Sequence, residues 1–206
     1  PAGWCDHMAR MWPIDGIVGE NGAFYFRYDH AAHVMQRHYA KTAQERAADR
    51  KRLDELKTHI LSQVPGTGIA ADQAYRDADL AIDFCEDVPA LSGSDIERVV
   101  ALFEAAGATA KVSSIHVSGR FGRYDKLSMT RTLMRDCFGM DIEAASGSFV
   151  FAGDSPNDAP MFAFFPNSVG VANVANFAGQ LEAEPTYITQ QRSGDGFTEA
   201  ADFLLA

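Results

Sequence analysis

The feature that most constrains this chain is an apolar run that stops abruptly at polar residues. Residues 149–153 are apolar or glycine, Asp154 follows at once, and Asn157 and Asp158 come shortly after it. Such a run is typical of a buried strand in a parallel α/β sheet. Ligands bind in these sheets beyond the carboxyl ends of the strands. We therefore expect Asp154 to project into a binding site, with Asn157 and Asp158 close behind it.

The side chains of this segment suit a hard cation. Carboxylate and amide oxygens are the ligands that Mg2+ prefers, so Asp154 is predicted to bind metal next to a phosphate ester. Two roles are open to Asn157 and Asp158. They hold Asp154, Lys126 and a metal-bound water in place, or they cap the following helix. Both roles can hold at once.

Composition excludes several classes of protein. The formal net charge is −10, which argues against a nucleic-acid partner. No apolar run approaches the roughly 18 residues of a membrane span, and no signal peptide is visible at the start. Three cysteines without metal-ligand spacing indicate reduced thiols, and so a cytoplasmic protein. The six histidines also lack such spacing.

Periodicity predicts alternating helices and strands. Residues 94–97 form a capping box in which Ser94 caps a helix and Glu97 reaches back. Asp125 is expected to cap the next helix. The predicted helices cover residues 3–12, 41–64, 95–106, 126–138, a short segment from 158, and 197–205. The predicted strands cover residues 14–18, 23–26, 80–84, 110–117, 149–153, 169–171 and 187–189. Residues 119–206 alternate as in a parallel sheet, whereas residues 23–118 resemble an inserted α+β lobe.

Several of these segments resemble a known family. Residues 153–158 are similar to the Gly-Asp-x-x-Asn-Asp motif of the haloacid dehalogenase (HAD) superfamily, and Lys126 lies upstream at a matching interval. Residues 20–23 resemble the Asn-Gly entry into the cap of type IIB members. Residues 194–197 are similar to their C-terminal pattern. Together these patterns span nearly the whole chain.

The resemblance implies a fold and an activity. The expected fold class is α/β: a Rossmann-like HAD core with a parallel sheet plus an inserted α+β cap of the C2 type. Residues 1–22 and 119–206 would form the core, and residues 23–118 the cap. The most similar group contains the sucrose-phosphatase-like and mannosyl-3-phosphoglycerate-phosphatase-like members. These are mostly Mg2+-dependent phosphatases of sugar phosphates and related small metabolites.

The resemblance also assigns roles to residues. Asp154 and Asp158 would bind Mg2+, Lys126 would hold the phosphoryl group, and Asn157 would organise the site. Without this resemblance, the local sequence would favour interpreting Lys126 as a surface lysine. Arg76 and Arg120 are further candidates for binding substrate, although a surface or structural role is commoner for such arginines. The expected partner is a small phosphorylated substrate, with neither nucleic acid nor membrane involved.

One part of the family pattern does not occur in this sequence. No Asp-x-Asp followed by threonine precedes the cap, and the Ser/Thr before Gly-Arg is also absent. The resemblance therefore implies two βα units upstream of Pro1, roughly 50 residues. Without them, neighbouring strands would keep unpaired edges, so we expect no stable monomeric core unless an N-terminal segment or a homodimer partner fills the gap. A non-catalytic remnant or regulatory binding module, or a phosphosugar mutase, remain alternatives.

Overall fold

A computed structural model of the chain describes residues 1–179 and 181–206. The chain divides into two compact units, Pro1–Leu133 and Met134–Ala206. This division differs from the expected boundaries after residues 22 and 118. The core-and-cap division therefore stays a prediction.

The first unit opens with a helix on an antiparallel sheet. Helix α1 spans Ala2–Met11, and strands β1 (Ile17–Gly19), β2 (Phe24–Asp29) and β3 (Val34–Tyr39) pair in that order. The small buried residues of α1 pack against the aromatic residues of β2, in a cluster formed by Ala2, Cys5, Ala9, Ala23, Phe24 and Phe26. Small side chains let the helix approach the sheet closely. The larger apolar side chains Trp4, Met11 and Trp12 are exposed.

The rest of the first unit has α+β topology. Its elements are α2 (Ala43–Gln63), β4 (Gly68–Ile69), β5 (Asp79–Asp83), α3 (Gly93–Ala105), β6 (Thr109–Val112) and β7 (His116–Arg120). The strands form an antiparallel sheet in the order β4-β5-β7-β6. Both helices contribute to one apolar core that includes Leu53, Leu56, Ile60, Leu80, Ile82, Val99, Phe103 and Val117.

Two details of this region differ from the predictions. The cap of α3 is Ser92, whose hydroxyl accepts the N–H of Asp95 at 3.3 Å, so the capping box at Ser94 was wrong. The single strand predicted over 110–117 is the hairpin of β6 and β7. Helix α2 begins with a true capping box, in which Thr42 and Glu45 each bond to the other's backbone N–H.

The second unit carries a parallel sheet. Helix α4 (Lys126–Phe138) crosses the division between the units and is followed by Gly139, whose φ is +63°. Then follow β8 (Val150–Gly153), α5 (Ala159–Phe164), β9 (Asn167–Gly170), β10 (Tyr187–Ile188) and α6 (Ser193–Leu205). The strands pair in parallel in the order β10-β9-β8, which confirms the parallel sheet predicted here.

The structure also bears on two predictions from composition. None of the helices within the described ranges has the length and apolar character needed to cross a bilayer. All three cysteines are free; Cys5 is buried, whereas Cys85 and Cys137 are half-buried.

Candidate active site

Asp154 directly follows the last residue of β8 and is exposed to solvent. It lines a cleft of about 310 Å3 within the second unit. The cleft is bordered by the end of β8, by the segment after β9 and by the start of α6, with lining residues Ala152, Gly153, Asp154, Val171, Ser193, Gly194 and Phe197. The carboxylate predicted to bind metal thus lies in a cavity at the carboxyl end of a parallel strand.

Asp158 shapes the turn that presents Asp154. Its side chain is buried, and its Oδ2 accepts the backbone N–H of Asp154 at 3.0 Å and that of Ser155 at 3.4 Å. The carboxylate packs directly on Gly153, where an added Cβ would lie 2.8 Å from Asp158 Cγ. Glycine is therefore required at position 153 by close approach. Asp158 thus holds the backbone of Asp154, which is one part of the role that the sequence left open for it; holding Lys126 and a metal-bound water stays a prediction.

The residues at this turn fit a magnesium ion to a limited extent. Mg2+ is usually held by one or two carboxylates together with waters and substrate phosphate oxygens. Asp154 offers an exposed carboxylate, and Asn157 is half-buried on the following turn. Among the residues that the structure describes, no three His, Cys, Asp or Glu side chains converge as a complete metal site. Metal binding by Asp154 and Asp158 stays a prediction.

The opposite border of the cleft contains a pair that the sequence did not reveal. The N–H of Ser193 donates to Asn173 Oδ1 at 2.7 Å, and Asn173 Nδ2 donates to Ser193 Oγ at 3.2 Å. Ser193 has a φ of +50°, which is uncommon for a residue other than glycine. The pair joins residues 20 positions apart, so only the C-terminal pattern at residues 194–197 pointed to this region.

Lys126 is the first residue of α4 and is half-buried. The cap predicted at Asp125 is confirmed, since Asp125 Oδ1 accepts the N–H of Ser128 at 2.7 Å. Lys126 belongs to the first compact unit and Asp154 to the second. Cooperation of these two side chains, and with it a catalytic role for Lys126 and Asn157, stays a prediction.

Both arginines have intramolecular contacts in the first unit. The Arg76 guanidinium forms a bidentate pair with Asp72, at 2.7 and 3.0 Å, and its Nη1 donates to Asp79 at 3.1 Å. Buried Arg120 donates from Nη2 to the carbonyl of Tyr124 at 3.1 Å, while its Nε and Nη1 find no acceptor among the described residues. These contacts favour structural roles, and substrate binding by either arginine stays a prediction.

Comparison with solved structures identifies the fold. A protein of Thermoplasma acidophilum is similar with a TM-score of 0.65 at 15% identity, over 97% of this chain and 77% of that chain. The sucrose-phosphatase of Synechocystis sp. PCC6803, solved with sucrose and phosphate, gives 0.63 at 14% identity, over 96% and 78%. A sugar phosphatase of HAD subclass IIB gives 0.57 at 12% identity, over 97% and 79%. No protein-family model and no curated protein matches this chain by sequence.

These structural similarities cover nearly the whole chain, and at sequence identities of 12–15% they show the fold alone. The resemblance to the HAD superfamily, predicted from residues 153–158, and to its type IIB members, predicted from residues 20–23, is thus confirmed at the level of the fold. The α/β fold class is confirmed with it.

Proposed function

We propose that this chain, which has the fold of the HAD subclass IIB phosphatases, belongs to a Mg2+-dependent phosphatase of small phosphorylated metabolites. One observation carries the proposal. Asp154 is exposed in a cleft at the carboxyl end of a parallel strand, and the buried carboxylate of Asp158 fixes the turn that presents it. This is the place where α/β proteins bind ligands, and the donor type is one that Mg2+ accepts.

In the proposed reaction, the residues that bind the metal and the phosphoryl group differ from the carboxylate that attacks phosphorus. Asp154 would hold Mg2+, which when bound supplies positive charge near the phosphoryl oxygens. Lys126 would hold the phosphoryl group through its ammonium, and Asn157 would keep the turn in place. A carboxylate upstream of Pro1 would attack phosphorus, and the ester oxygen of the substrate would leave as an alcohol by taking a proton from a second upstream carboxyl group. Water would then cleave the aspartyl-phosphate to free phosphate and restore the carboxylate.

The sheet of the second unit is compatible with a nucleophile on a further strand. Among the described strands, β9 alone pairs with β8, and Val150 on β8 is 46% exposed. A parallel strand added at the other edge of β8 would lie about 4.8 Å away, and its carboxyl end would come beside Asp154. A segment upstream of Pro1, or a strand from a second copy, is the proposed occupant.

The proposed substrate class is a sugar phosphate. Two proteins with this fold are described as a sucrose-phosphatase and a sugar phosphatase. The net charge of −10 would repel an anionic substrate at long range, so the site must attract it locally. Lys126 and a metal at Asp154 would supply this local positive charge.

The test uses the full-length protein that contains this chain. With Mg2+ it should hydrolyse p-nitrophenyl phosphate, and Asp154→Asn should lower kcat/KM by at least about 100-fold, because metal stabilises the transition state by several kcal/mol. Asp202→Asn, which changes an exposed carboxylate on α6, is the matched control and should keep normal activity. Hydrolysis that persists in EDTA would contradict the proposal. Phosphate binding without turnover would instead favour the non-catalytic module.

A further inference from the structure

Three consecutive residues of the first unit adopt left-handed backbone conformations. The φ angles are +43° at Glu20, +56° at Asn21 and +98° at Gly22. Glycine adopts such angles freely, whereas other residues are strained there, asparagine the least. A turn with two such residues persists only where surrounding contacts hold it in place.

The carboxylate of Glu20 provides these contacts. It is buried and accepts four backbone N–H groups, from Ala2 at 2.9 Å, Asp77 at 2.8 Å, Ala78 at 2.5 Å and Asp79 at 3.2 Å. Burial raises the pKa of this carboxyl group above its usual value, although the backbone N–H groups of Asp77, Ala78 and Ala2 act in the opposite direction. The hydrogen bonds therefore offset part of the cost of burying the carboxylate while they hold the turn in place. Glu20 thereby ties the turn to the start of α1 and to the segment before β5.

The end of this turn packs directly on the start of α4. A Cβ added at Gly22 would lie 2.0 Å from the carbonyl oxygen of Asp125 and 2.9 Å from the backbone nitrogen of Lys126. No side chain fits there, so the backbone of Gly22 contacts the peptide that joins Asp125 to Lys126. The position of this peptide determines where the Lys126 side chain begins.

A second contact holds the preceding residue. Arg120 is buried, and its Nη2 donates to the carbonyl of Tyr124 at 3.1 Å. The loop before α4 is therefore held on one side by Arg120 and on the other by the turn that ends at Gly22. Of these two supports, the turn contacts the peptide of Lys126 itself.

We propose that Glu20 is a positioning residue for Lys126, acting through the turn at residues 20–22. A catalytic lysine must stay within about 0.5 Å of its productive position, and rigid supporting contacts provide this precision. The catalytic meaning of this inference rests on the proposed function. The mechanical coupling from Glu20 to the first turn of α4 does not, and it is tested separately.

The first experiment needs no enzymatic activity. Glu20→Gln places an amide N–H2 group against backbone donors, which loosens the turn. Hydrogen exchange of a peptide covering residues 125–129 should then accelerate by about tenfold or more, because the N–H of Met129 bonds to the carbonyl of Asp125. Unchanged exchange in this peptide would overturn the inference.

A matched control is available in the same unit. Asp83 is also buried and also accepts backbone N–H groups, from residues 85–87. Asp83→Asn should leave exchange in the peptide 125–129 unchanged. If exchange accelerates equally in both variants, Glu20→Gln acts by general destabilisation of the unit, and the proposal that Glu20 positions Lys126 is overturned.

The second experiment measures the catalytic consequence in the full-length protein. Glu20→Gln should lower kcat for p-nitrophenyl phosphate by about tenfold or more and leave the Mg2+ affinity unchanged, since small displacements of catalytic groups are costly. In a Lys126→Ala background the same change should cost little further activity, because both changes remove one function. Full additivity of the two losses would refute positioning.

A second variant covers the case in which Glu20→Gln does not fold. Glu20→Asp keeps the charge but withdraws the carboxylate by one methylene from the N–H groups that it accepts, and it should change exchange and kcat in the same direction by a smaller factor. If the wild-type full-length protein hydrolyses no phosphate ester, the proposed function fails. The exchange measurements still decide whether Glu20 holds the start of α4.

Discussion

Replacing Asp158 by alanine separates its two roles, a ligand of Mg2+ and an anchor of the turn after β8. Its Oδ2 accepts the N–H of Asp154 at 3.0 Å and, more weakly, that of Ser155 at 3.4 Å. One good hydrogen bond to a charged acceptor contributes about 1.5–3 kcal/mol, so the anchoring role predicts a loss of about 2–3 kcal/mol. Asp158→Asn keeps an oxygen acceptor without its charge and should lose about 1 kcal/mol.

Thermal unfolding in EDTA measures this loss without any contribution from metal. In proteins of this size, 1 kcal/mol corresponds to about 2–4 °C in Tm. Asp158→Ala should therefore melt about 4–12 °C below the wild-type protein, and Asp158→Asn about 2–4 °C below it. Asp202→Ala, at an exposed position of α6, is the control and should keep the wild-type Tm within about 2 °C.

The opposite pattern would refute the anchoring role. If Asp158→Ala has the same Tm as the wild-type protein in EDTA and a lower Tm than the wild-type protein only when Mg2+ is present, the side chain acts as a ligand and not as an anchor. A loss in EDTA together with unchanged Mg2+ affinity would remove Asp158 from the set of predicted metal ligands and leave Asp154 in it.

The remaining predictions concern the first unit. Burial alone would raise the pKa of Asp83, but the backbone N–H groups of residues 85–87 and nearby His116 bring that pKa below its usual value. The ionised Asp83 therefore stabilises the folded protein above about pH 4, and this contribution is lost as pH falls through the lowered pKa. In denaturant titrations, the free energy of unfolding of Asp83→Asn should be about 1–2 kcal/mol below that of the wild-type protein at pH 7. At about pH 2 the two values should converge. Ser92→Ala should lower stability by about 1 kcal/mol in the same assay, whereas Ser94→Ala should change it by less than about 0.5 kcal/mol. Equal effects at Ser92 and Ser94 would contradict the observed cap.

Local sequence signals predicted the elements that depend on neighbouring residues. The apolar run before Asp154 predicted β8, and the helix predicted over residues 126–138 is α4, which is followed by Gly139 at a positive φ that glycine adopts without strain. The cap at Asp125 was also found, since a capping side chain bonds only a few residues away. In α3 the same logic selected the wrong serine, because Ser92 and Ser94 both lie within reach of the helix start.

The sequence by itself determined that a carboxylate follows a parallel strand, and with it the α/β class and the resemblance to the HAD fold. The burial expected for this strand was wrong, because Val150 is 46% exposed and the other residues of β8 are half-buried. The tertiary structure decided which side of α1 is buried, what Asp158 holds and where the carboxylate of Glu20 bonds. Glu20 and Ala78 lie 58 positions apart, and Asn173 and Ser193 lie 20 apart. Periodicity and capping rules describe interactions within a turn or two of the chain, so contacts that form only when distant segments pack together leave no local signal.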